Sequence, residues 1–196
     1  MTNEIIISTY TENGITIKIS VKDYEILLSQ KNKTEIAKLI YFRLFNRYVY
    51  PFQDCPNKNG FLMMASSCLL IETLESFYQG WEDTQTKSKQ SFERYFERSG
   101  HLKLFHKRSL DFYNNVRCAI LHQGETTKGW KITRKGSLID ETSSTINAVK
   151  FLKGVEQSLI VYRTTLEISD WDSEVWDNLR RKMRFIIKNC NTTYPR

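Results

Sequence analysis

The stretch "GFLMMASSCLLIETLESFY", residues 60–78, limits the fold more than any other part of the chain. It is apolar nearly all round at helical spacing, and a helix of that kind must be enclosed by other elements. It meets two serines and then Glu72 and Glu75 before it is long enough to cross a bilayer, so the expectation is the central helix of a bundle and no membrane partner. Glu72 and Glu75 stand where the helix either emerges into solvent or aims at a polar site; the emerging end is the preferred reading.

The other elements surround this helix with more helix. Ile36, Leu39, Ile40, Leu44 and Tyr48 set a helix from about Thr34 to Tyr50, which Pro51 ends. Ser91 to Arg98 is a short helix with Phe92, Tyr95 and Phe96 inward. From Lys107, Leu110, Phe112, Tyr113, Val116, Ala119 and Ile120 form a stripe, and Gly124 stands where a glycine stops a helix. Asn147 to Leu166 and Ser173 to Lys188 complete the set. Strands are minor. "EIIIST" and "GITIKIS" form an N-terminal β-hairpin across Asn13-Gly14, and "GWKITRKGSLID" a short hairpin turning at Lys135-Gly136, with Trp130, Ile132 and Leu138 on its apolar face.

Six or so helices without βαβ alternation or an internal repeat indicate an all-α helical bundle with these two small hairpins. The expected organisation is an N-terminal hairpin and helix over 1–59, a helical core over 60–168, and a C-terminal helix and tail over 169–196. A chain of 196 residues, 40% apolar and 26% charged, can bury such a core unaided.

Charge is unevenly placed. Residues 86–136 carry twelve Lys/Arg against four acids, a balance of +8, whereas the whole chain is +7. One basic stretch in an otherwise neutral chain is the footprint of a polyanion partner, or else a solvated face. Cys55, Cys68, Cys118 and Cys190 lie far apart without metal-ligand spacing, which predicts free core thiols and no metal site. With no export signal in view, the expected compartment is the cytoplasm. Phosphate-loop, dinucleotide, nucleophile-elbow and zinc-protease motifs are all missing, and no cofactor is expected.

Within the basic segment, "VRCAILHQGET" places Arg117 and His122 near the end of a helix. This stretch resembles the signature of HEPN domains, helical bundles that carry an Arg, four to six intervening residues and a His. Arg117-x4-His122 has that spacing, as does Arg94-x6-His101. The resemblance covers about Phe61 to Leu166, and the "GW" stretch after the motif belongs to it. It implies RNA as partner and a homodimer formed through the motif helix. It also implies kinship with toxin–antitoxin or antiviral-defence proteins, and hence an antitoxin or companion protein. The residue after the Arg is commonly polar in members that cut RNA; here it is Cys118.

The chemistry so implied is metal-independent RNA cleavage by attack of the 2′-hydroxyl. It needs a base, an acid and a cation at the phosphorus. Histidine titrates ordinarily near ~6.5 and can act as base or acid; arginine clamps phosphate with a fixed charge. The expected catalytic residues are Arg117 and His122, with Glu72 as a supporting acid. Lys107, Arg108, Lys128, Lys131 and Arg134 are the expected phosphate contacts. On a regular helix Arg117 and His122 point about 140° apart, so either the helix loosens near His122, as Gly124 permits, or the partner side chain comes from a second chain. Two alternatives stay open: a non-catalytic HEPN-like RNA, nucleotide or protein-binding module, and a plain interaction bundle in which the pair is incidental.

Overall fold

Asn13 and Gly14 take positive φ of 50° and 77°, the geometry that lets a two-residue turn follow the twist of the strands it joins. β1 (Ile6–Glu12) and β2 (Ile15–Ser20) accordingly pair antiparallel, with Glu12 opposite Ile15 and Thr9 opposite Lys18. The computed structural model describes residues 4–53, 56–57 and 59–191; Cys55 and the tail after residue 191 lie outside the described residues.

Seven helices follow among the described residues, and the protein is mostly helical. They are α1 (Val21–Ser29), α2 (Lys33–Tyr48), α3 (Gly60–Gln79), α4 (Ser88–Arg98), α5 (residues 109–123), α6 (Ala148–Ile168) and α7 (Glu174–Asn191). α1 is not foreseen from the apolar spacing, although its start is written in the sequence. Ser20 accepts from the Asp23 N–H at 3.2 Å, and the Ser20 N–H donates back to Asp23 at 2.8 Å, a reciprocal capping box.

The chain divides into two compact units, one of Met1–Arg47, Ser76–Asp83 and Ile160–Arg196, the other of Tyr48–Glu75 and Thr84–Leu159. In the first, the hairpin lies on α2: Tyr10 stacks on Phe42 at 4.4 Å, and the Asn46 side-chain amide donates to the Thr9 carbonyl at 2.6 Å. α7 buries Trp176, Leu179 and Met183, and the Trp176 indole N–H donates to the Leu166 carbonyl at 3.0 Å.

The second unit is built on aromatic rings. Phe92 and Phe96 of α4, Phe105, Phe112 of α5 and Phe151 of α6 are fully buried, and Phe112 stacks on Phe151 at 5.3 Å. Phe92, Tyr95 and Phe96 point inward as expected. Leu110, expected in the buried stripe, is 48% exposed. It lies two positions before Phe112, about 200° round the helix, and Phe112 holds the inward place.

α3 has the length and apolarity of a spanning helix, and 67% of that apolar window is buried inside the protein. Its two carboxylates do not emerge into solvent: Glu72 and Glu75 are 6% and 0% exposed. The short hairpin expected after α5 is also corrected. β3 (Lys131–Thr133) and β4 (Ile139–Asp140) do not pair with each other; β5 (Thr145–Asn147) lies between them, parallel to β3 and antiparallel to β4. Asn147 explains the insertion. Its side-chain amide donates to the Gly136 carbonyl at 3.0 Å and its backbone N–H to the Leu138 carbonyl at 2.9 Å, which opens the turn around β5. The same side chain then caps α6 by accepting from Val149 and Lys150.

Candidate functional site around Arg117

α5 is not one regular helix. Ser109–Phe112 is α-helical, Tyr113–Cys118 is a π-helical turn, and Ala119–Gln123 is α-helical again. A wide turn of this kind forfeits ideal hydrogen bonding, and such turns are frequent at functional sites. Here it carries Tyr113, Arg117 and Cys118 together. Gly124, at φ 73°, ends the helix with its N–H on the Ile120 carbonyl.

Arg117 turns inward from that wide turn. Its Nε–H donates to Oε1 of Glu72 at 2.6 Å, across 45 residues of sequence, and its Nη1 lies 3.8 Å from the Cys118 sulfur. The guanidinium sits over the Tyr113 ring, 5.5 Å from its centre. Glu72 is itself fixed: Oε2 accepts from the Thr84 hydroxyl at 3.1 Å and the Ser88 hydroxyl at 2.8 Å. Three donors thus converge on one buried carboxylate, which is how a buried charge is made tolerable. Burial opposes the charge on Arg117, but the hydrogen bond and charge of Glu72 outweigh it and hold the guanidinium above its ordinary pKa.

The surrounding groups respond to the same burial. Cys68, one turn before Glu72, is fully buried; burial first, and then the negative Glu72, push its thiol well up. Burial and a hydrogen bond with Cys118 raise the Tyr113 hydroxyl. Of the free thiols, Cys68 is a core residue, whereas Cys118 and Cys190 are half-buried. Among the described residues, no three His, Cys, Asp or Glu side chains gather as a metal site.

Comparison with family models, with curated proteins and with solved structures finds no match.

The remaining residues singled out in the sequence separate into two groups. His122, five residues beyond Arg117 on the same helix, is exposed. The wide turn lies on the Arg117 side of the pair, and the backbone from Ala119 to Gln123 is regular, so the loosening expected near Gly124 does not occur. Lys107, Lys128 and Lys131 are exposed. Arg108 and Arg134 serve the fold: Arg108 donates to Asp111 at 3.0 Å and to Ser144 at 3.1 Å and lies 4.1 Å from the Trp130 ring centre, while Arg134 donates to the Asn57 carbonyl. Arg94 and His101, the second spaced pair, are both exposed.

Sequence reasoning missed the polar frame beside the motif. Asp111 accepts from Asn115 at 2.7 Å and from the Trp130 indole at 3.1 Å; Asn115 accepts from the Thr127 hydroxyl at 2.8 Å. These bonds pin the segment after Gly124 back onto α5. The spacing Asp111-x3-Asn115 on one helix face was the available signal. Thr84 and Ser88, in a polar loop and at a helix start, carried none.

Proposed function

We propose that this chain is a metal-independent endoribonuclease of the HEPN toxin or defence type, with Arg117 and His122 acting at an interface between two copies. The observation that carries this is the held arginine. Arg117 leaves a π-helical turn, is fixed by Glu72, which Thr84 and Ser88 hold in turn, and keeps 15% of its side chain exposed. A cation fixed before substrate arrives costs little reorganisation when charge develops at phosphorus. Glu72 is then a positioning residue rather than an acid, because it accepts every bond it makes here.

Arg117 turns to the buried Glu72 while His122 is exposed, which favours a cleft shared by two copies. α5 supports this with Leu110 and Leu121 exposed at 48% and 36% on the helix that carries the motif. In such a cleft one imidazole takes the 2′-hydroxyl proton as the 2′-oxygen bonds to phosphorus. The second protonates the 5′-oxygen as its bond to phosphorus breaks, leaving a 2′,3′-cyclic phosphate. In this proposal the exposed Lys107, Lys128 and Lys131 meet flanking phosphates. The partners in this proposal are RNA, a second copy of the chain and an antitoxin or companion protein, in the cytoplasm.

A non-catalytic RNA- or nucleotide-binding module, or a protein-interaction module, is the second proposal. The ion pair itself favours it, since Glu72 already balances the charge of Arg117. RNA digestion in the presence of chelator, comparing the unaltered protein with Arg117→Ala and His122→Ala, separates the two. Cleavage lost in both variants supports the nuclease; cleavage unchanged in His122→Ala rejects it; RNA bound but uncut supports the binding module.

A further inference from the structure

Gly60 and Phe61, at the start of α3, and residues Ile132, Thr133, Arg134 and Lys135 of β3 and its turn line an open groove of about 620 Å³. The two walls meet closely. A Cβ on Gly60 would stand 3.2 Å from Ile132 Cγ2 and 3.7 Å from Arg134 Cγ, so the absent side chain is what lets the strand approach the helix. The Arg134 stem runs along one side, its guanidinium turned to the Asn57 carbonyl. Phe61 is 36% exposed, an aromatic face left at the surface of a helix that otherwise buries most of its apolar length, and Lys135, which lines the same groove, is exposed.

An exposed ring next to a lysine and the stem of an arginine, both from the basic segment 86–136, has the composition of a stacking platform for a single nucleic-acid strand: the ring takes a base face and the lysine takes the backbone. We propose that this groove binds one nucleotide of single-stranded RNA, its base stacked on Phe61 and its phosphate against Lys135. The identity of the ligand rests on the RNA reading given above; the groove itself does not. Eleven residues of unbroken helix separate Phe61 from Glu72, about 16 Å at ~1.5 Å per residue. At ~3.4 Å per stacked nucleotide, a strand anchored in the groove reaches Arg117 about five nucleotides away.

The test is fluorescence anisotropy with a short, mixed-sequence oligomer of 2′-O-methyl RNA, which cannot be cut by 2′-hydroxyl attack. Phe61→Ala is expected to weaken binding about fivefold or more, and Phe61→Trp to retain it. Lys135→Gln is expected to flatten the dependence of log affinity on log salt by ~0.7. An abasic oligomer of equal length should bind the unaltered protein and Phe61→Ala alike. Thermal unfolding of each variant monitors the fold, and Phe61→Trp keeps the ring should the alanine variant be destabilised. An unaltered protein that does not bind the oligomer, or equal affinity in the unaltered protein, Phe61→Ala and Lys135→Gln, overturns the proposal. Phe61-dependent binding by a protein that cuts no RNA retains the groove and rejects the nuclease; His122-dependent cutting with Phe61-independent affinity does the reverse.

Discussion

Arg117 and Glu72 form a 2.6 Å ion pair between a π-helical turn and α3, with side chains 15% and 8% exposed. Removing one member leaves the other charged in a site with little water, which typically costs about 3 kcal/mol or more. Glu72→Ala and Arg117→Ala are each expected to destabilise by about that amount, and the double variant by clearly less than their sum. Urea unfolding of the four proteins measures the coupling, and additive effects would show that the pair does not hold the turn.

His122 is exposed at the other end of the motif, so His122→Ala is expected to change stability by less than ~0.5 kcal/mol and, under the proposed nuclease function, to remove RNA cleavage. If the cleft is shared and uses both imidazoles, mixing His122→Ala with unaltered protein under conditions of subunit exchange lowers activity as the square of the unaltered fraction, because a mixed dimer holds only one imidazole. A fall in simple proportion to that fraction rejects a shared cleft.

Arg98 makes a two-pronged contact with Glu75, at 3.2 and 2.5 Å, and Glu75 is fully buried. Arg98→Ala is expected to cost about 3 kcal/mol even though Arg98 is itself near the surface. A loss under ~0.5 kcal/mol, the ordinary range of surface changes, would contradict this.

Gly124 ends α5 at φ 73°, and a Cβ there meets nothing within 4 Å. Gly124→Ala should therefore cost about 1 kcal/mol from backbone conformation alone, with Gly124→Asn milder. Thermal unfolding reads the order of the three proteins.

The Ser20 backbone N–H, and then its hydroxyl, hold the Asp23 carboxyl below its ordinary value of 3.8. A carboxyl depressed in the folded state stabilises fully above its unfolded pKa and loses that contribution as pH falls through the folded one. Asp23→Asn should thus be less stable than the unaltered protein at neutral pH, and the gap should close below pH 3.8. Ser20→Ala is expected to cost about 1 kcal/mol at neutral pH. Melting temperatures across that range check both, and a gap that widens in acid would reverse the assignment.

Much of this fold is legible where the signal is local. Asn13-Gly14 dictates the hairpin turn, Gly124 the helix stop, and the spacing of Phe92, Tyr95 and Phe96 the buried face of α4. The Ser20-x-x-Asp23 box marks α1 equally plainly, although the residues after it lack a strong apolar stripe to draw attention to it. Each depends on the backbone preferences of a few neighbouring residues, which the chain carries with it in any fold.

What only tertiary structure decided depends on residues far apart in sequence. Glu72 is buried rather than emerging because Arg117, Thr84 and Ser88 arrive there from other parts of the chain. β3 pairs with β5 rather than β4 because Asn147 binds the intervening turn. The helical period of α5 is read from the sequence as uninterrupted, yet the packing of Phe112 and Val116 on one side and the pull of Glu72 on Arg117 coincide with a wide turn. A buried charge takes its partner from packing, and no local rule specifies which distant side chain that will be.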